Sequence, residues 1–214
     1  MTQQPRRALI VIDVQNEYVT GNLLIEYPDV NQSLANIAKA MDTAQTAGIP
    51  VVVVQHLAPE TAPLFARGSE QAELHPLVAG RHRDHLVEKN VASALTGTDL
   101  GAWLRERQID TLTVVGYMTH NCNDATVRQA KHEGWNVELL HDASGSLPYV
   151  NSLGAATAEE IHRVFTLVMH TGFAAVLSTE QWLRALESGE VPQADNVYLS
   201  NRRALGQTQV RESA

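Results

Sequence analysis

The 214-residue chain holds a single cysteine, Cys122. No intrachain disulfide can form, so a reducing, cytoplasmic setting is expected. No apolar run approaches the roughly 20 residues that a membrane-spanning helix needs. The opening segment, Met1 to Arg7, is too short and polar to precede a signal-peptide core, and the apolar run Ala8 to Ile12 is halted by Asp13. Positive charge is scarce: 16 Lys and Arg stand against 24 Asp and Glu, a net charge of −8. With no basic block to neutralise phosphates, neither nucleic acid nor an anionic membrane is an expected partner. The G-x-G-x-x-G turn of dinucleotide sites, the G-x-x-x-x-G-K-[ST] phosphate loop and the G-x-S-x-G elbow of serine hydrolases are all missing.

What is present is a regular alternation. Ala8 to Ile12 and Pro50 to Gln55 are short aliphatic runs without a polar face, the pattern of strands buried on both sides in a parallel sheet. Ile109 to Val115, Trp135 to Leu140 and Phe173 to Leu177 repeat it, and Asp84 to Glu88 is a weaker strand ending at Lys89. Between them lie helical spacings over about 31–47, around Leu100, Trp103 and Leu104, over about 121–133, and over about 155–170 with Ile161, Val164, Phe165 and Val168 on one face. A short helix holds Trp182, Leu183 and Leu186. The expected fold is α/β: a three-layer α/β/α sandwich around a doubly wound, mostly parallel sheet. One domain, 1–187, is expected to precede a polar tail, 188–214. Residues 57–80, with three prolines and little periodicity, read as a functional loop or lid.

In an open parallel sheet, ligands bind beyond the carboxyl ends of the strands. Asp13 closes the first strand, His56 the second and Lys89 the short third, and the Cys122 loop follows the fourth. A lone cysteine is as readily a buried hydrophobe as a nucleophile. Its place at a helix start predicts a lowered thiol pKa and an available thiolate. With Asp13 to take the thiol proton and Lys89 to hold Asp13 and add positive potential, the set forms a nucleophilic site. His120 is the competing base, although only two residues from the thiol. His75, His82 and His85 lack the spacing of a defined zinc motif and read as a solvated loop.

Three segments in order resemble the isochorismatase-like cysteine hydrolases, a superfamily that includes nicotinamidases, N-carbamoylsarcosine and ureidoacrylate amidohydrolases, and isochorismatases. Leu9 to Tyr18 is similar to an apolar strand followed by D-x-Q-N-x-aromatic. Glu88 to Leu95 with Gly97 to Leu100 is similar to K-x-x-x-S-x-F…G-T-x-L, with Leu95 in place of the aromatic. Gly116 to Cys122 with Ala125-Thr126, then Gly134 and Asp142-Ala143, completes the pattern over roughly residues 8–178.

The resemblance implies an Asp13–Lys89–Cys122 triad, a cis peptide at Tyr117–Met118, and an oxyanion hole from the backbone N–H groups of Met118 and Cys122. It implies a metal-independent hydrolase of a C–N bond in a small amide, lactam, carbamoyl or ureido compound, acting through a thioester. Tyr18, His56 and Tyr117 are the expected pocket residues. No cofactor is expected; a homo-oligomer, dimer or tetramer, is. Nicotinamidases carry an Asp and histidines for a metal just after the second strand, where this chain has His56-Leu57-Ala58 without the D-x-H pattern. No metal is therefore expected. The alternatives are a metal-assisted nicotinamidase, a binding protein that kept the fold without turnover, and an oxidant-sensing thiol, the last lacking a resolving cysteine of its own.

Overall fold

The computed structural model describes residues 4–207. In chain order the elements are β1 (Arg7–Ile12), α1 (Val30–Thr46), β2 (Val51–His56), α2 (Pro76–Ala79), β3 (His85–Lys89), α3 (Leu100–Glu106), β4 (Thr111–Tyr117), α4 (Asp124–His132), β5 (Asn136–Gly145), β6 (Tyr149–Asn151), β7 (Gly154–Ala156), α5 (Ala158–His170), β8 (Ala175–Leu177), α6 (Thr179–Ser188) and α7 (Val197–Ala204). Six strands form one parallel sheet in the order β3-β2-β1-β4-β5-β8.

Strand pleating sorts the core into two layers, because successive side chains leave opposite faces of the sheet. Leu9 and Val11 of β1 pack with Leu34, Ile37 and Met41 of α1 and Trp182 of α6. Ala8, Ile10 and Ile12 pack with Leu100 and Leu104 of α3, Val127 and Ala130 of α4, and Met169 of α5. The sheet is therefore covered on both sides, as its unbroken aliphatic strands require. The chain winds from β1 to β2 and β3 on one side, then crosses to β4 on the other. The junction of β1 and β4 is a topological switch point, where the connections diverge to opposite sides.

Gly116 sets how closely the two strands meet at that junction. Its φ is +104°, and a Cβ there would fall on the carbonyl oxygen of Ile12 in β1. Glycine lets β4 press against β1 while its pairing with β5 shifts register between Val114 and Gly116. At the opposite end of the sheet, Glu138 of β5 takes a bidentate pair of bonds from Arg7 (2.8 and 3.1 Å) and single bonds from Thr113 (2.7 Å) and Trp182 Nε1 (3.0 Å), all buried. This group ties β1, β4, β5 and α6 together.

The structure departs from the sequence expectation at two places and adds detail to it at two more. Tyr149–Asn151 and Gly154–Ala156 form a small antiparallel hairpin, β6–β7, so α5 starts at Ala158 rather than 155. Val164 and Val168, expected on the buried face of α5, are exposed at 45% and 41%; the helix instead turns Ile161, His162 and Met169 inward. Residues 57–80 carry the short α2, are closed on themselves by the bridge Ala58–Ala66, and are stitched to the body by the bridge Gln15–Leu74. The tail expected over 188–214 contains α7, and its last part, 208–214, lies outside the described residues.

The Glu138 network yields a stability test. Replacing Glu138 by Gln leaves the Arg7 guanidinium buried without its counter-charge, and should lower the unfolding free energy by about 3 kcal/mol in urea titrations.

Candidate active site

Asp13 follows β1 in a left-handed conformation, φ 52°, one that aspartate tolerates better than most residues. Its N–H donates to the Val54 carbonyl at 3.0 Å, which fixes the turn against β2. Lys89 is the last residue of β3, in register with His56 at the end of β2. Cys122 lies in a wide π-type turn, Thr119–Asn123, that joins β4 to α4. Three strand ends thus deliver three side chains to one point, as the strand-end reading expects.

The centre of that point is the Lys89 ammonium. Nζ donates to Asp13 Oδ2 at 2.6 Å, lies 3.1 Å from His56 Nδ1, and donates to Cys122 Sγ at 3.3 Å. The Lys89 and Asp13 side chains are wholly buried, and Cys122 is 5% exposed. An ammonium has three N–H donors and no acceptor, so three acceptors satisfy it, and His56 must present a bare Nδ1. Asp13 Oδ1 is buried with no hydrogen-bond partner among the described residues, which leaves one carboxylate oxygen available to a proton.

Burial raises the Asp13 pKa above the ordinary carboxylate value, with Lys89 opposing; the carboxylate is a stronger base than one in water. Burial, followed by the nearby Asp13 charge, pushes the Cys122 thiol up to about 12. The lowered thiol pKa expected from the helix start is therefore not what the site provides. Desolvation outweighs Lys89, because Cys122 is buried inside the turn rather than set on an open helix end. The resting sulfur is a thiol beside a strengthened base.

The Met118–Asn123 segment is held from several directions. The Tyr117–Met118 peptide is cis, as the resemblance implies. The Met118 carbonyl accepts from the N–H groups of Asn121 and Asn123, both at 3.1 Å, while the Met118 N–H makes no hydrogen bond among the described residues. Asn123 Nδ2 donates to the Gly116 carbonyl at 2.8 Å and to Ser144 Oγ at 3.0 Å. Thr126 donates to the Cys122 carbonyl at 2.7 Å and accepts from the Ala94 N–H at 3.0 Å.

The other expected pocket residues divide. Tyr18 and Tyr117 are buried with ring centroids 5.5 Å apart, and the Tyr117 hydroxyl is engaged by Ser33 of α1 at 2.7 Å. Tyr117 thus underlies Tyr18, and its hydroxyl is already occupied. His56 is half-buried, with Nδ1 turned to Lys89. His120 faces away from the triad, to Ser146 (3.0 Å) and Tyr149 (2.9 Å), and burial lowers its pKa to about 4. His75, His82 and His85 do not converge: they engage the Leu77 N–H, Asp84 and Asp99 respectively.

Two residues not singled out from sequence matter here. Phe65, the one aromatic of the 57–80 loop, packs on Tyr18 (5.3 Å) and edge-on to His56 (5.1 Å). Gln15, two positions after Asp13 and visible in D-x-Q, is fully buried; its carboxamide takes the His56 N–H and donates to the His56 and Ala72 carbonyls.

Ligand atoms of Asp13, His56 and Cys122 lie within 4.8 Å of one another, a spacing that suits a metal ion. The residues do not fit one. Lys89 Nζ is within hydrogen-bond distance of all three, so a cation already fills the space between them.

Residues 7–181 match the model of the isochorismatase domain. The chain belongs to the isochorismatase family. It is similar to the crystal structure of an isochorismatase-type protein from Burkholderia xenovorans LB400, at 62% identity and a TM-score of 0.94, over 96% of this chain and 99% of that one. It is 31% identical to an isochorismatase family protein of Bacillus subtilis (strain 168), over 83% of this chain and 98% of the relative. It is 26% identical to the ureidoacrylate amidohydrolase RutB of Variovorax paradoxus (strain S110), over 83% and 80% of the two chains.

The raised thiol pKa makes stability pH-dependent with a definite sign. Below pH 9 the thiol is protonated in both folded and unfolded chains; between the ordinary value of 9.0 and about 12 only the unfolded chain ionises, so stability falls as pH rises. Between pH 8 and 10 the protein should lose about 1 kcal/mol more than its Cys122→Ala variant, measured by denaturant unfolding at each pH.

Proposed function

We propose that this protein is a metal-independent cysteine hydrolase that cleaves a C–N bond of a small amide, lactam, carbamoyl or ureido compound. The observation that carries the reading is one buried ammonium bonded at once to the carboxylate of Asp13 and the sulfur of Cys122. Family membership and the likeness to an amidohydrolase support the reaction class. Placed at the β1–β4 switch point, the set has the geometry of a nucleophile with its base.

Asp13 takes the thiol proton as Cys122 sulfur bonds to the substrate carbonyl carbon. The N–H groups of Met118 and Cys122 hold the resulting oxyanion; each such donor contributes about 3 kcal/mol in other enzymes. The C–N bond then breaks, protonated Asp13 gives its proton to the departing nitrogen, and a thioester remains. Asp13 next takes a proton from water, whose oxygen attacks the thioester carbon. The C–S bond breaks, the acid product leaves, and the sulfur regains the proton from Asp13. Lys89 stays charged throughout, balancing whichever of Asp13 and Cys122 is the anion.

Phe65 and Tyr18 bound the approach to the sulfur, with the 57–80 loop as its wall. A homo-oligomer also remains part of the proposal, supported by the exposed stripe Val164, Leu167 and Val168 and by exposed Val150 and Leu153 of the neighbouring β6–β7 hairpin.

A hydrolysis screen over amides, lactams and ureido acids, with Cys122→Ala as the blank, tests the reading. Cys122→Ala and Asp13→Asn should each lower kcat/KM by at least about a thousandfold while remaining folded. Hydrolysis retained by Cys122→Ala would remove the triad from consideration. Prolonged EDTA treatment should leave the rate unchanged; a fall restored by zinc would favour a metal-assisted nicotinamidase.

A further inference from the structure

We infer that His56 is a positioning residue for the triad: its Nδ1 receives the third N–H of Lys89 and fixes the ammonium between Asp13 and Cys122. This rests on the triad reading above and assigns His56 a role other than substrate contact. The geometry is one of counting. A buried ammonium with an unanswered N–H is strongly disfavoured, and within reach Nζ has Asp13 Oδ2, Cys122 Sγ and His56 Nδ1. Two acceptors answer two of its N–H groups and leave the third bare in a buried place; His56 Nδ1 at 3.1 Å is the acceptor that answers it.

His56 is itself held as a fixed acceptor should be. The Gln15 carboxamide brackets its backbone, accepting from the N–H and donating to the C=O at 2.9 Å each, and Phe65 packs edge-on against the ring. The charged groups that face the imidazole are Lys89 from β3 and Asp13 from the end of β1, with the Cys122 thiol beyond them. Burial, with Lys89 adding to it, holds the His56 pKa below its ordinary value, which keeps Nδ1 bare at neutral pH. The role becomes sharper in the thioester, whose acylated sulfur is a poor acceptor: His56 and Asp13 then hold the ammonium between them.

The test needs no knowledge of the natural substrate. Alkylation of Cys122 by iodoacetamide at pH 7.5, followed by intact mass, reports the sulfur's reactivity in the full-length protein. In His56→Asn the side-chain oxygen can occupy the place of Nδ1; His56→Leu has similar bulk and no acceptor; His56→Gln carries its oxygen one atom too far. Alkylation should slow by about tenfold in His56→Leu and His56→Gln and stay within about threefold of the parent in His56→Asn, the loss expected for one buried hydrogen bond. On a substrate from the screen, His56→Leu should lower kcat with little change in KM, and His56→Asn should restore it. Parent-like alkylation in His56→Leu, or equal slowing in the Asn and Leu variants, would overturn the assignment. If His56→Leu does not fold, the Asn and Gln pair decides in the same way. Lys89→Met separates the two levels: slow alkylation there beside a parent-like His56→Leu rejects the role of His56 alone, whereas parent-like alkylation in Lys89→Met rejects the triad itself.

Discussion

A lysine ammonium inside a protein is tolerated only where each of its N–H groups finds an acceptor and a negative charge stands close by. Lys89 meets that demand with Asp13, Cys122 and His56, drawn from four different parts of the chain. The rest of the site depends on this one ion. It balances the buried Asp13 carboxylate, and it is the charge nearest the sulfur that favours a thiolate. Remove it, and the burial that makes Asp13 a strong base would instead leave an unpaired charge.

The sheet makes the arrangement possible. Parallel strands end their carboxyl sides at one level, and the reversal of winding between β1 and β4 leaves room there for side chains to meet. Gly116 narrows the gap by admitting the Ile12 backbone, so the loop from Tyr117 onward descends beside Asp13. The Arg7–Glu138 network clamps the far end of the same strands. The two charged clusters, one at each end of the sheet, are both buried and paired, but of the two only the Asp13–Lys89 cluster holds a carboxylate oxygen without a partner among the described residues.

Much of this was legible in the sequence, for reasons that particular residues make clear. Aliphatic runs such as Ala8 to Ile12 identify buried strands, and polar residues that end such runs must gather at one edge of a parallel sheet. Asp13, His56, Lys89 and Cys122 were found that way. The thiol pKa was not, because a sequence position gives the helix terminus but not the depth at which the sulfur is buried. Nor was the inward face of α5: Val164 and Val168 are as apolar as Ile161, and only packing decides which side meets the sheet. The hairpin β6–β7 has three-residue strands, too short for alternation to register. The His56–Lys89 contact joins residues 33 apart and leaves no local pattern.

Gln15 has a consequence for how this scaffold can diversify. Its single carboxamide grips His56 at the beginning of the long loop and Ala72 near its far side, while Asp13, two residues before it, holds the Lys89 ammonium. The loop therefore stands as an arch on two fixed feet. Residues between them that do not touch His56 can be exchanged, lengthened or reshaped without shifting the ground on which the ion pair stands. Phe65, packed on the His56 ring, belongs with the feet. Changes in the arch alter what surrounds the sulfur; changes in the feet alter how the ammonium is held. One buried side chain thus separates the part of the molecule free to vary from the part that is not.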